Sequence, residues 1–177
     1  MKVVNIHSRI LHQPKAAISA LLETLATKND GMMPTENWPA MRLKEGLKVG
    51  SKGGHGPIRY TVNKYSPDEL IQFEFTKPKG FHGLHRFEIV ELENAQTELK
   101  HTIEMNTTGI GTVIWTLAIR WLHDALIEDA FDKVENHFST ARKKTEWNIW
   151  VRILRRGLKP SGKNPQSTQT GLNIKNS

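Results

Sequence analysis

The stretch FHGLHRFEIVELENAQTELKHTIEM, residues 81–105, decides the fold. Read with a period of two, its first half places Phe81, Gly83, His85, Phe87 and Ile89 in one register. After a break at Glu93-Asn94-Ala95, the second half places Leu99, His101, Ile103 and Met105 in the matching register. Arg86 and Glu88, then Glu98, Lys100 and Glu104, occupy the opposite registers. Such alternation belongs to an antiparallel hairpin with one buried face and one wet face. Partner numbers summing to about 188 set Phe87 opposite His101 and His85 opposite Ile103. The two histidines are then diagonal neighbours on the apolar face.

Two imidazoles in an apolar register need hydrogen-bond partners or they cost stability. They are core histidines satisfied by backbone, water or each other, or cavity histidines that orient a polar ligand end, or an acid–base pair. No carboxylate shares their register to support proton transfer. No third ligand can be named beside them, so neither a metal nor another cofactor is expected.

Outward from the hairpin the period of two persists. Leu47–Ser51, Ile58–Tyr65 and Glu69–Thr76 read as strands, separated by Gly53-Gly54-His55-Gly56-Pro57 and by Ser66-Pro67-Asp68. Such short breaks force neighbouring strands to run antiparallel. At the start of the chain, Lys2–Leu11 is a further strand, with Val4, Ile6 and Ile10 alternating against Asn5, His7 and Arg9. Pro14 opens a helix striped by Ile18, Leu21, Leu22 and Leu25. Met32 to Glu45 is irregular, with room for a short helix. From Ile110 to about Phe138 the period becomes helical, with Trp115, Ile119, Leu122, Leu126, Ala130 and Phe138 near one face. A sheet with one apolar face must cover it, and only this helix is long enough. The expected fold is α+β, a strongly bent antiparallel sheet gripping a long helix. Burial of Trp115, Leu122 and Leu126 should contribute roughly 1.5–3 kcal/mol each.

The chain has 177 residues, 37% apolar and 24% charged, enough for one domain with a core of its own. It has no cysteine, which excludes disulfides, thiol nucleophiles and Cys-ligated zinc. The opening MKVVNIHSRI lacks an apolar leader, so a cytoplasmic location, free or peripheral to a membrane, is expected. GSKGGHGP lacks the GK[ST] ending of a phosphate loop and runs into a strand, which makes it a glycine-rich turn. LHDALIEDAFD reads as a solvated helix face carrying Asp124, Glu128, Asp129 and Asp132. His123 and Asp124 do not form a dyad there, since consecutive helix residues diverge by about 100°. No serine nucleophile motif occurs. Met32, Met33, Trp38 and Met41 are either loop core or an adaptable lid.

The segments LKVGSKGGHGPIRYTVNKYSPDELIQFEF, GLHRFEIVEL, TELKHTIEM and WLHDALIEDAFDKVE together resemble the START-like helix-grip superfamily, also called SRPBCC. The resemblance covers about residues 2–138, and residues 1–138 are taken as the ligand-binding domain. It implies a deep hydrophobic cavity between sheet and helix and the binding or transport of a small hydrophobic or amphipathic ligand. Its alternative is a polyketide cyclase or dehydratase using a cavity histidine as proton shuttle. The same resemblance brings no fixed catalytic set. With the hairpin register, it gives a cavity walled by Tyr60, Phe73, Phe75, Phe81, His85, Phe87, Ile89, Leu99, His101, Ile103, Met105, Trp115 and Leu122, with Tyr60 and Phe81 near the rim. His85 and His101 are the only candidates for proton transfer.

Charge is divided unevenly. Residues 1–138 hold 16 Lys+Arg and 17 Asp+Glu, whereas residues 139–177 hold 9 Lys+Arg and 1 Glu. Residues 139–159 form a basic amphipathic extension with Trp147, Trp150, Val151, Leu154 and Leu158 at helical spacing. Its apolar face packs back on the domain, or on a second copy to make a homo-oligomer. Alternatively, Trp147, Trp150, Arg152, Leu154, Arg155 and Arg156 meet an anionic membrane. Nucleic acid is disfavoured as the partner, since no base-reading motif accompanies the charge. Residues 160–177 are polar and turn-rich and should be disordered unless a partner holds them.

Overall fold

The computed structural model of the chain describes residues 1–158. Seven strands form one sheet in the order β1-β7-β6-β5-β4-β3-β2, and every neighbouring pair is antiparallel. The strands are β1 (Lys2–Leu11), β2 (Arg42–Leu43), β3 (Lys52–His55), β4 (Ile58–Ser66), β5 (Leu70–Lys77), β6 (Phe81–Glu91) and β7 (Thr97–Thr107). The β6–β7 hairpin has the expected register, with Phe87 opposite His101 and His85 opposite Ile103. Helix α1 (Lys15–Leu22) follows Pro14 and buries Ile18, Leu21 and Leu22. The long helix Ile110–His137 crosses the inner face.

Three local expectations fail. The first strand after the irregular stretch is Lys52–His55, and Leu47–Ser51 is turn instead. Half of GSKGGHGP is therefore sheet, and the turn itself is Gly56-Pro57. Gly53 has a packing reason to be glycine, because a Cβ there would stand 1.9 Å from the Arg42 carbonyl oxygen across the β2–β3 pair. No helix forms between Met32 and Glu45; the stretch is turns and the two-residue strand β2.

The third failure matters most for the site. The polar register of β1 faces inward, and Val4, Ile6 and Ile10 lie on the outer surface at 53–56% exposure. Asn5, His7 and Arg9 meet the carboxylates of the long helix instead. Asn5 Nδ2 donates to Asp124 Oδ1 at 2.9 Å, and His7 Nδ1 lies 2.8 Å from Glu128 Oε1. Arg9 reaches Glu128 at 2.8 Å, Asp132 at 2.6 Å and Glu135 at 3.0 Å. The helix face expected to be solvated is thus an ion-pair seam. Its spacing of four residues, Asp124-Glu128-Asp132, matches one face of a helix laid along one strand.

The long helix is interrupted. A π-helical turn at Trp115–Ile119 joins Ile110–Ile114 to Arg120–His137. Trp115, Leu126, Ile127, Ala130, Phe131 and Val134 are buried, whereas Leu122 is only half-buried. After a non-helical link, the short helix Ile149–Leu158 returns to the domain, with Val151 buried. Packing back on its own domain is the outcome for this extension. Residues 160–177, expected to be disordered, lie outside the described residues.

Candidate functional site

A cavity of about 670 Å³ lies between the sheet and the long helix. Phe75, Phe81, Phe87 and Ile103 line it from the sheet, and Ile114, Trp115, Ala118, Ile119, Leu122, Leu126 and Ile127 from the helix. Met33, Trp38 and Met41 complete the wall from the irregular segment, and Ile153, Leu154 and Arg155 from the short helix. Tyr60, Phe73, Ile89, Leu99, Met105 and Met32 are buried but stand off the wall, in the packed core. Tyr60, expected near the rim, is among them; its ring packs on Phe73 and His85, with centroids 4.9 Å from each.

Besides Arg155, the polar groups of the wall include four histidines, His55, His85, His101 and His123. His85 stacks between Phe73 and Phe75, at 4.7 and 4.8 Å. Its ring centroid is 5.6 Å from that of His101, and His101 is 4.9 Å from His123. At the other end, His55 Nδ1 lies 3.1 Å from the Tyr60 hydroxyl. With Tyr60 between His55 and His85, the four rings form a row from the β3–β4 turn, across the sheet, to the helix. His85 Nε2, His101 Nδ1 and both ring nitrogens of His123 have no hydrogen-bond partner among the described residues.

Burial keeps these rings neutral. It pushes His55 down to about 4, with His123 and Arg59 adding to the effect. His85 and His101 are driven well below the ordinary imidazole value, first by burial and then by neighbouring histidines. Burial also lowers His123, against the pull of Asp124. His7 behaves oppositely: burial opposes its charge, but hydrogen bonds with Asp124 and Glu128 prevail and raise it. Burial works against the charge on Asp124 too, yet His123 at 3.6 Å and contacts with His7 and Asn5 hold that carboxyl well below its usual range. Neutral imidazole carries one donor and one acceptor, so the row can meet either kind of ligand group.

Trp38 and Trp147 both donate their indole N–H to Asp129 of the long helix, at 2.7 Å and 3.0–3.1 Å. The rings are in edge contact at 5.4 Å, and the Arg155 guanidinium lies 4.3 Å over Trp38. One carboxylate thus fastens the irregular segment and the short helix to the long helix. Trp147, Leu154 and Arg155, considered as membrane contacts, are occupied in this packing. Trp150, Arg152 and Arg156 remain exposed.

A bent seven-stranded antiparallel sheet closed by a long helix over an apolar cavity is a known architecture. The fold is the helix-grip fold of START-like proteins. A protein of Nitrosospira multiformis superposes with a TM-score of 0.61 at 11% identity, over 78% of this chain and 97% of that one. Norcoclaurine synthase of Thalictrum flavum gives 0.60 at 12% identity, covering 80% and 96% of the two chains. A START superfamily protein of Mycobacterium smegmatis gives 0.52 at 13% identity, over 77% and 99%. No protein-family model matches the sequence, and no curated protein matches it. Likeness at these identities establishes the helix-grip fold alone.

His123 was concealed in the sequence by the reading of its segment as solvent-facing, and His55 by its place in a glycine-rich run. Ile119, His123 and Ile127 stand four apart, a helical spacing that aligns all three with the cavity. That spacing was visible.

Proposed function

We propose that the protein binds a small amphipathic molecule in the helix-grip cavity, with its apolar body against the aromatic wall and a hydroxyl or carbonyl group on the histidine row. The observation that carries this reading is the pairing of an apolar cavity of about 670 Å³ with unpartnered ring nitrogens on His85, His101 and His123. Apolar walls with a few converging polar groups are the physical expectation for small-molecule sites. The test is native mass spectrometry of the full chain, with extraction of co-purifying material, followed by titration with a long-chain alcohol and its parent hydrocarbon. His101→Ala should weaken the alcohol about tenfold, the size of one neutral hydrogen bond, and the hydrocarbon little. Equal losses for both would make His101 core filler.

The ligand's route, in this reading, is an anionic lipid surface. Ile110, Val113, Leu117 and Trp121 form an exposed apolar stripe along the outer side of the long helix. Trp150 Nε1 donates to the Leu117 carbonyl at 2.9 Å, which joins exposed Ile149, Trp150 and Ile153 to that stripe. Ile153 also lines the cavity, so the apolar patch runs into its mouth. Exposed Arg120, Arg152 and Arg156 supply the positive rim that anionic headgroups favour.

A second reading, an enzyme of the cyclase or dehydratase type, is favoured by the contact of His101 with His123. Both rings carry an unpartnered nitrogen that could accept a ligand proton. Norcoclaurine synthase, solved with dopamine and hydroxybenzaldehyde, is an enzyme with this fold. Turnover that is lost in both His101→Ala and His123→Ala would select this reading over carriage alone.

A further inference from the structure

We infer that His7, His123 and Asp124 form a mononuclear site for a first-row divalent cation such as Zn²⁺ where β1 meets the long helix. One ring nitrogen from each histidine and one carboxylate oxygen of Asp124 lie within 4.8 Å of one another. His7 Nε2 is 3.1 Å from Asp124 Oδ1, and His123 Nδ1 is 3.6 Å from the same oxygen. Ligand atoms bound tetrahedrally to zinc at about 2.0–2.1 Å stand about 3.3 Å apart, so these separations suit one ion with little movement.

A proton on His7 accounts for only part of the cluster. It satisfies His7, Asp124 and Glu128, but leaves both nitrogens of His123 without a partner. The 3.6 Å approach of His123 Nδ1 to Asp124 is too long for a hydrogen bond. A cation between the three side chains gives each of them a partner. The surroundings also have the form of a supporting shell. Glu128 Oε1 holds His7 Nδ1 at 2.8 Å, which aims Nε2 at the site, and Arg9 fixes the other Glu128 oxygen at 2.8 Å. Asn5 Nδ2 donates to Asp124 Oδ1 at 2.9 Å. Such carboxylate–histidine–metal arrangements set the tautomer and orientation of the ligating ring. Two imidazoles and a carboxylate suit zinc and its first-row neighbours rather than calcium or magnesium. His123 belongs to the cavity wall, whereas His7 and Asp124 lie off it.

The inference shares His123 with the ligand reading but does not rest on it, and its test needs no ligand. The full chain is stripped with a chelator, dialysed, and titrated with Co²⁺ by absorption spectroscopy and with Zn²⁺ by elemental analysis. The expected result is about one ion per chain, a cobalt d–d band, and a raised melting temperature with Zn²⁺. His123→Ala and Asp124→Asn should each abolish the band, whereas Glu128→Gln should weaken binding about 10–100-fold by releasing His7. Circular dichroism confirms that each variant is folded, and His123→Gln serves if the alanine variant is not. Absence of a cobalt band for the folded wild-type chain overturns the site. So does a band of unchanged strength in folded His123→Ala or His123→Gln, which would assign the ion to surface histidines.

Discussion

His101 of β7 and His123 of the long helix face each other with ring centroids 4.9 Å apart, one from each layer of the domain. Neither ring belongs to an ion pair with the sheet, and burial lowers both. The apolar cavity is thus crossed by groups that are stable there only while uncharged.

This gives stability a pH dependence. His55 and His85 are depressed in the folded state, His55 to about 4, so the unfolded chain binds more protons below the ordinary imidazole range. Their neutral forms favour folding above about 6.5, and that stability is lost as pH falls toward the folded values. Urea midpoints should therefore decline between pH 7 and pH 4. His85→Phe, which fits the stack between Phe73 and Phe75, should flatten the decline; a slope unchanged by it would remove His85 as a cause.

Arg9 and Asp132 form the most buried pair of the seam, at 13% and 6% side-chain exposure. Asp132→Ala should destabilise by about 1.5–3 kcal/mol, because Arg9 loses its most buried partner while Glu128 and Glu135 still pair with it. Arg9→Met with Asp132→Leu should recover much of that loss, since an apolar pair needs no charge compensation. Chemical denaturation of Arg9→Met, Asp132→Leu and the double variant decides it. Additive losses would mean the pair is not coupled.

Much of this fold could be read from local periodicity. The β6–β7 register follows from alternation on either side of one short break, and the long helix from its length. Packing that depends on distant partners was hidden. In β1 the alternation shows two registers but not which one turns inward; four helix carboxylates more than 110 residues away decide that Asn5, His7 and Arg9 do. The candidate site divides in the same way. His85 and His101 were visible on a strand face, whereas His7, His123 and Asp124 become neighbours only when strand and helix meet.

Removing the short helix should open the cavity. A chain ending at Thr140 lacks Ile153, Leu154 and Arg155 of the wall and the Trp147 bond to Asp129. It should keep a cooperative thermal melt and the circular-dichroism signal of the sheet and long helix, while releasing a bound fluorescent fatty alcohol at least about tenfold faster. An unchanged off-rate by stopped flow would show that the short helix does not close the mouth.

Membrane contact, if it uses the outer stripe, depends on Leu117 and Trp121 rather than on Trp147. Sedimentation of the full chain with anionic vesicles should be strong at low salt and weak at high salt, and it should fall several-fold in Leu117→Glu. Neutral vesicles should bring down little protein. Equal binding by wild type and Leu117→Glu would remove the stripe from the contact.

The inward seam of β1 also orders events during synthesis. Lys2–Leu11 is made first, yet its sheet partner spans residues 97–106, and its charged partners extend to Glu135. At about 5–20 residues per second, some 5–25 s pass before the ribosome has made both. Throughout that interval Val4, Ile6 and Ile10 stand on a strand with no neighbour, beside an arginine with no carboxylate. Because β1 pairs only with β7, it is the last strand that can be set in place.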